Sequence, residues 1–261
     1  MRRSGSADKG KETAMNQASR AIIMAAGKGE RMDPLTLKTP KPLIRVNGRR
    51  MIDTVIEGLM ANGIAEIYVV VGHLKEAFSK LPEQYPCVQL IENPYYETCN
   101  NISSLYVARE HLEDCLILDG DQIIYNPEIL SPAFERSGYN AVWTEEETGE
   151  WLLEVRDGVV VSCSRTGGKR GWQLYSVSRW SAEDGRRLRS HLELEFEKKM
   201  NRQIYWDDVA LFCHPEEYQL GIRPMLKSDI IEIDTLEELA AADPSYVCYM
   251  SGSEEKYGKE A

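Results

Sequence analysis

Three stretches of this chain carry residue types whose spacing suits chemistry. The first is Met24-Ala-Ala-Gly-Lys-Gly-Glu-Arg31, continued by Lys38-Thr-Pro-Lys-Pro-Leu43. Gly27 and Gly29, directly after an apolar run, let backbone N–H groups approach phosphate oxygens with no Cβ in the way. Lys28, Arg31, Lys38 and Lys41 gather positive charge against only Glu30 and Asp33. A triphosphate suits such a loop, with Arg31 and Lys41 placed to neutralise a departing pyrophosphate. A dinucleotide fingerprint would need glycine where Met32 stands, and a Walker A loop needs a Gly-Lys-Ser/Thr ending that is absent. On motif shape alone, a glycine turn followed by a solvated basic loop is as good a reading.

The second stretch, Leu116-Ile-Leu-Asp-Gly-Asp-Gln-Ile-Ile124, ends an apolar strand with Asp119 and Asp121. An i, i+2 pair at a strand end can aim at one hard cation, and magnesium is the ion nucleotide phosphates bring with them. A turn or helix cap is the alternative. An aspartyl-phosphate phosphatase also opens on D-x-D, but on its first strand, and wants Thr or Val where Ile123 stands. The third stretch, Gln203-Ile-Tyr-Trp-Asp-Asp-Val-Ala-Leu211, offers Asp207 and Asp208 beside Tyr205 and Trp206. Asn100-Asn101 and Ser103-Ser104 supply amides that could read a base edge, or simply cap a helix.

The elements that must position these groups alternate. Strand-like runs at 21–25, 66–72, 88–93 and 114–120 are separated by helical patterns at 51–63, 75–81 and 102–112. Near-continuous apolar strands with crossover helices predict a parallel sheet covered on both faces, hence an α/β, doubly wound, Rossmann-like domain. Beyond residue 140 the pattern becomes an antiparallel insertion: 140–146, 151–164 turning at Asp157-Gly158, and 171–180. A long helix is expected over 182–202, and a last strand capped into a helix at Asp234 or Thr235 over 228–243. The expected organisation is a polar tail at 1–19, a single domain at 20–245 and a second polar tail at 246–261. Residues 20–139 mainly hold nucleotide and 140–210 mainly the acceptor.

Bulk properties limit the partners. With 31 basic and 42 acidic side chains the net charge is −11, which argues against nucleic acid or an anionic membrane as a partner. Six cysteines show no C-x-x-C pair, which predicts buried free thiols in a reducing cytoplasm. No apolar run is long enough for a membrane span. Nothing in the pattern fixes the assembly, and a homodimer is compatible with it. All five tryptophans, at 143, 151, 172, 180 and 206, fall in the insertion and the acidic segment after it. Aromatic faces are the usual device for holding a quaternary ammonium, which has no N–H to donate.

Ala25-Ala-Gly-Lys-Gly-Glu-Arg31 with Thr39-Pro-Lys-Pro-Leu43 resembles the signature of nucleotidyltransferases that make activated head groups and sugars, over nearly the whole chain apart from its tails. Cys99-Asn-Asn-Ile-Ser-Ser-Leu-Tyr106 is similar to an element of the bacterial CTP:phosphocholine cytidylyltransferases. That resemblance implies transfer of CMP from CTP to a small phosphorylated amino-alcohol, phosphocholine first, with release of pyrophosphate. It implies nucleotide contacts from Ala25, Ala26, Gly27, Lys28, Gly29, Asn101 and Ser104, with Asp119 in a supporting or ribose role. Arg31, Lys41, Asp121 and Asp207 are implied as catalytic, the two aspartates as ligands of Mg²⁺, with Asp208 an open alternative to Asp207. For the acceptor it implies Trp151 and Tyr205, with Glu150 adjacent and Trp172 and Trp206 as looser assignments. The charge-rich flanks Glu145–Trp151 and Ser164–Trp172 leave room for a primary amine, as in phosphoethanolamine or 2-aminoethylphosphonate. A sugar-1-phosphate acceptor, or an inactive nucleotide-sensing module, are the remaining alternatives.

Overall fold

A computed structural model describes residues 15–250. At its centre is a nine-stranded mixed sheet. The strand Arg20–Ala25 lies between Ile67–Val71 and Cys115–Asp119, parallel to both, and Val88–Glu92 extends the parallel half outward. The three inner strands are largely apolar on both faces because both faces are covered, whereas the edge strand Val88–Glu92 exposes Gln89 and Glu92. One apolar layer includes Ile23, Val69, Ile56 and Leu118, and the other Ile22, Val70, Ile117 and Leu105. Met24 stands opposite Asp119 in the register. The glycine loop and the acidic pair therefore leave the same end of the sheet side by side.

The remaining strands form the expected antiparallel half. Gly171–Trp180 pairs antiparallel with Gly138–Thr144 along one edge, and along the other with Leu152–Arg156 near its start and Cys115–Asp119 near its end, so this one long strand joins the two halves. The hairpin Leu152–Arg156/Val159–Ser164 turns at Asp157-Gly158, with φ of +50° and +75°. Two consecutive left-handed residues are what a tight Asp-Gly hairpin turn requires.

Several helices are shorter than their periodicity suggested. The helix Ala182–Glu193 is capped by Ser181 and passes into a wider π turn at Leu194–Lys198, short of the expected residue 202. That turn buries Glu195, whose carboxylate accepts from Lys199, Asn201 and His214. The expected helix at 102–112 divides into Ile102–Val107 and a 3-10 turn, and that at 75–81 into a 3-10 turn and Leu81–Gln84. Thr235, rather than Asp234, caps Leu236–Ala242, in a reciprocal box with Glu238.

Regular structure extends into both expected tails. Asn16–Gln17 pairs with Ala133–Phe134, and Ala18 is buried in the core. At the other end, helical turns continue through Val247–Met250. The outer residues of both expected tails lie outside the described residues. Of the six cysteines only Cys115 is fully buried. Among the described residues no helix is long and apolar enough to cross a membrane.

Candidate active site

The glycine loop is anchored from beneath. Met32, at the position where a dinucleotide fingerprint needs glycine, is completely buried in a small cluster with Ile44, Met51, Ile123, Ile233 and Leu236. That cluster ties the loop to the last strand and helix of the domain. Gly29 adopts φ +67°, and Thr36 closes the turn by donating to the Gly29 carbonyl at 3.0 Å. A Cβ on Gly29 would meet Thr36 Cγ2 at 3.0 Å, whereas one on Gly27 would meet nothing within 4 Å. Gly29 thus shapes the loop, and Gly27 leaves space above it.

The loop forms one wall of a cavity of about 600 Å³. Ala25 to Arg31 and Lys41 line it on one side, Asn93, Asn101 and Ser104 on another, and Asp119, Asp121, Glu232 and Asp234 along its floor. Lys41, only 6% exposed, sits among the acids. Its Nζ lies 2.6 Å from both Asp121 and Asp234, and Arg31 reaches Asp234 at 2.8 Å. Burial opposes the charge on Lys41, but Asp121 and Asp234 outweigh it and hold its pKa above the usual lysine value. Burial also opposes the charge on Asp234, yet Lys41 and Arg31 keep that carboxyl below its ordinary value.

Asp119, Asp121 and Glu232 each offer an oxygen within 4.8 Å of the others. Burial, then the charge on Asp121, pushes Asp119 up to about 7, and burial with the neighbouring aspartates raises Glu232 well above the usual range. Asp121 Oδ1 is buried with no hydrogen-bond partner. Three converging carboxylates, one with an orphaned oxygen, are the donor set of a hard divalent cation.

Asp207 is not in that group. It is buried beside the Tyr139 ring system, its Oδ1 without a hydrogen-bond partner, and burial followed by the charge on Asp119 raises its pKa well above the carboxylate range. The sequence pointed to Asp207 as the second ligand, whereas among the described residues it is Glu232 that groups with Asp119 and Asp121. The signal was present: Glu232-Ile-Asp234 ends a strand with an i, i+2 acidic pair, as Asp119 and Asp121 do. Asp234, expected as an alternative helix cap, instead holds Lys41 and Arg31.

Asn101 and Ser104 line the cavity but are already engaged. The Ser104 hydroxyl accepts from Asn93, and Asn101 Oδ1 accepts from the backbone N–H of Trp206 at 2.9 Å. That second bond couples the cavity to the tryptophan-rich half. There Trp151 meets Tyr205 and Phe212 edge to face, with ring centroids 5.7 and 5.6 Å apart. The guanidinium of Arg165 lies 3.8 Å from the Phe212 centroid and is ion-paired with Asp208, whose side chain is 4% exposed. Asp208 also accepts from the Tyr205 N–H. Asp208 is thereby the cation-holding acid of this corner, while Glu150 lies close enough to the Tyr175 hydroxyl to help raise its pKa, after burial and Glu232.

Two expected acceptor residues lie elsewhere. Trp206 is 1% exposed and packs with Trp180 and Tyr139 in the core, so its ring cannot face a ligand. Trp172 pairs with Trp143 at 5.4 Å, across the register of their strands, and has no ring contact with the Trp151 corner. Phe212 and Arg165 gave no sequence signal, because no motif marks them.

Residues 21–195 match the model of the MobA-like NTP transferase domain. The chain belongs to that family. It is 41% identical over 233 residues to a 2-aminoethylphosphonate cytidylyltransferase of Lancefieldella rimae, covering 88% of this chain and 94% of the relative. A choline-phosphate cytidylyltransferase of Streptococcus pneumoniae is 33% identical over 219 residues, covering 84% and 94%. The solved structure of a CTP:phosphocholine cytidylyltransferase from Streptococcus pneumoniae superposes with a TM-score of 0.80 at 32% identity, covering 87% of this chain and 98% of that one. This nucleotidyltransferase is accordingly a cytidylyltransferase with a Rossmann-like mixed sheet, as the sequence resemblance implied.

Proposed function

We propose that the enzyme transfers CMP from CTP to a short phosphonate or phosphate carrying a primary ammonium, with 2-aminoethylphosphonate as the acceptor. The observation that carries this reading is the Trp151, Tyr205 and Phe212 corner, which already holds a cation, Arg165, on the buried carboxylate of Asp208. Aromatic faces attract any ammonium, but only an N–H-bearing one can also donate to Asp208. The acceptor of the 41% identical relative has that chemistry. Phosphocholine is the second reading, favoured by three aromatic faces in one corner, which suit a quaternary ammonium.

In the reaction an acceptor oxygen forms a bond to the α-phosphorus of CTP as the bond to the β-phosphate oxygen breaks, and pyrophosphate leaves in line. A phosphate acceptor with its second pKa near ~6 is already largely dianionic at neutral pH and needs no general base. The Gly27–Gly29 loop cradles the triphosphate, and Arg31 and Lys41 stabilise charge on the departing group. Asp119, Asp121 and Glu232, with Asp234 beside them, would hold Mg²⁺. When bound there it supplies charge neutralisation between the phosphates of the two substrates. Burial and the neighbouring carboxylates raise the pKa values of Asp119 and Glu232, and a cation held there would favour their ionised forms.

The test is pyrophosphate release with CTP, UTP, dTTP and GTP against 2-aminoethylphosphonate, phosphoethanolamine, phosphocholine and glucose 1-phosphate. The proposal expects CTP and 2-aminoethylphosphonate to give the highest kcat/KM. Preference for phosphocholine selects the second reading, and preference for the sugar phosphate rejects both.

A further inference from the structure

A second cavity, of about 380 Å³, opens between the segment Ala133–Arg136, the hairpin turn Asp157-Gly158 and the strand Gly221–Pro224. Three arginines line it: Arg136, Arg179 and Arg223. None of them has a carboxylate within ion-pairing distance among the described residues, although Glu135 and Asp157 line the same cavity. In a chain with 42 acidic side chains, three arginines that share a cavity without an ion pair stand out.

Arg179 is 2% exposed and rests on neutral acceptors: the carbonyls of Ile129 and Ser131 and the side-chain oxygen of Asn140. Arg223 spends only Nη1, on the carbonyls of Ser131 and Ala133 at 3.2 and 3.3 Å. Its Nε and Nη2 donors have no acceptor among the described residues. They form the edge of the guanidinium that takes two oxygens of one oxyanion. The stem of Arg136 lies against Gly221, with Cγ and Cδ 2.8 Å from where a Cβ would be, so a glycine is what lets Arg136 lie over the cavity.

Two neighbouring guanidinium groups taken out of water without a counter-ion repel one another and lose hydration. Burial and the charge on Arg223 pull the pKa of Arg179 down to about 9. An anion in the cavity removes both penalties.

We infer that this cavity is an oxyanion-binding site separate from the active site, formed by Arg223 and Arg136 with Arg179 behind them, for a phosphate-type dianion or a small organic phosphate. Nothing in CMP transfer requires it, so the site is an effector or second-ligand position.

Inorganic phosphate is the probe, with chloride at equal ionic strength as the reference, and melting temperature as the readout. Phosphate also visits the glycine loop, so the Lys41→Met variant serves as the background with the active site weakened. In that background phosphate is expected to raise Tm, and Arg223→Gln or the exposed Arg136→Gln is expected to remove at least about half of the rise. Arg136→Glu supplies the missing counter-ion from within: it should raise Tm without phosphate and abolish the response to it. A phosphate response that survives in Arg136→Gln and Arg136→Glu, or that Lys41→Met alone eliminates, overturns the inference. If Arg223→Gln fails to fold, the two Arg136 variants decide the matter.

Discussion

Lys41 is buried among four carboxylates of the active site, and Lys41→Met tests that arrangement directly. Methionine keeps most of the buried stem and removes the charge. A fully buried pair broken in this way costs about 3–5 kcal/mol. Here the Asp121 and Asp234 side chains keep 23% and 27% exposure, and Asp234 retains Arg31, so the cost should be about 2 kcal/mol. For a domain of this size that lowers Tm by about 4–8 °C. Turnover should fall about 100- to 1,000-fold, as when one group facing developing charge is lost. Millimolar Mg²⁺ should restore part of the lost Tm, because the carboxylates no longer hold an internal cation. The double variant Lys41→Met/Asp121→Asn should be no less stable than Lys41→Met, a coupling of about 1–2 kcal/mol between the two side chains. Thermal unfolding with and without Mg²⁺, together with pyrophosphate-release kinetics, reads all of these. An unchanged Tm with near-normal turnover would refute the reasoning about this floor.

Further outcomes follow from the same geometry. Asp121→Asn and Glu232→Gln should each lower turnover about 100-fold or more, while Asp207→Asn, an isosteric change at a buried carboxyl whose pKa burial raises, should cost less than about tenfold in the same assay. Gly27→Ala should raise KM for CTP with Tm unaltered, whereas Gly29→Ala, forced to hold φ +67°, should also lose about 1–2 kcal/mol in denaturant unfolding. Arg165→Met should lower the acceptor KM several-fold and leave that for CTP unchanged, because guanidinium and ammonium compete for Asp208; an acceptor KM that rises places Arg165 among the binding groups instead. Burial raises the Glu195 carboxyl, but hydrogen bonds from Lys199, Asn201 and His214 outweigh it and hold it below the usual value. Its contribution is therefore present above the unfolded-state pKa and is lost as pH falls through the lowered folded value. Glu195→Gln should cost about 1.5–3 kcal/mol at neutral pH and flatten the acid limb of the stability curve.

The sequence by itself determined the parallel half of the fold, because strands buried on both faces must be continuously apolar and the turns between them must be polar. It also determined the phosphate loop and the Asp119-Gly-Asp121 element, since both are local: their chemistry depends on neighbours within a few residues. What the tertiary structure decided was which distant groups meet them. Acidic pairs stand at 207–208 and at 232 and 234, and only the tertiary structure groups Glu232, whose strand pairs with Gln122–Ile124, with Asp119 and Asp121, and sets Asp207 beside Tyr139. The tryptophans divided for the same reason. Trp206 stands directly before a pair of acids, yet its ring packs in the layer filled by Trp180, whereas Trp151 sits at a strand end where Phe212 and Arg165 can reach it. A sequence shows which side chains can hold a cation, a phosphate or a ring. Packing decides which of them share a cavity, because burial costs apply to the assembled set and not to any one residue.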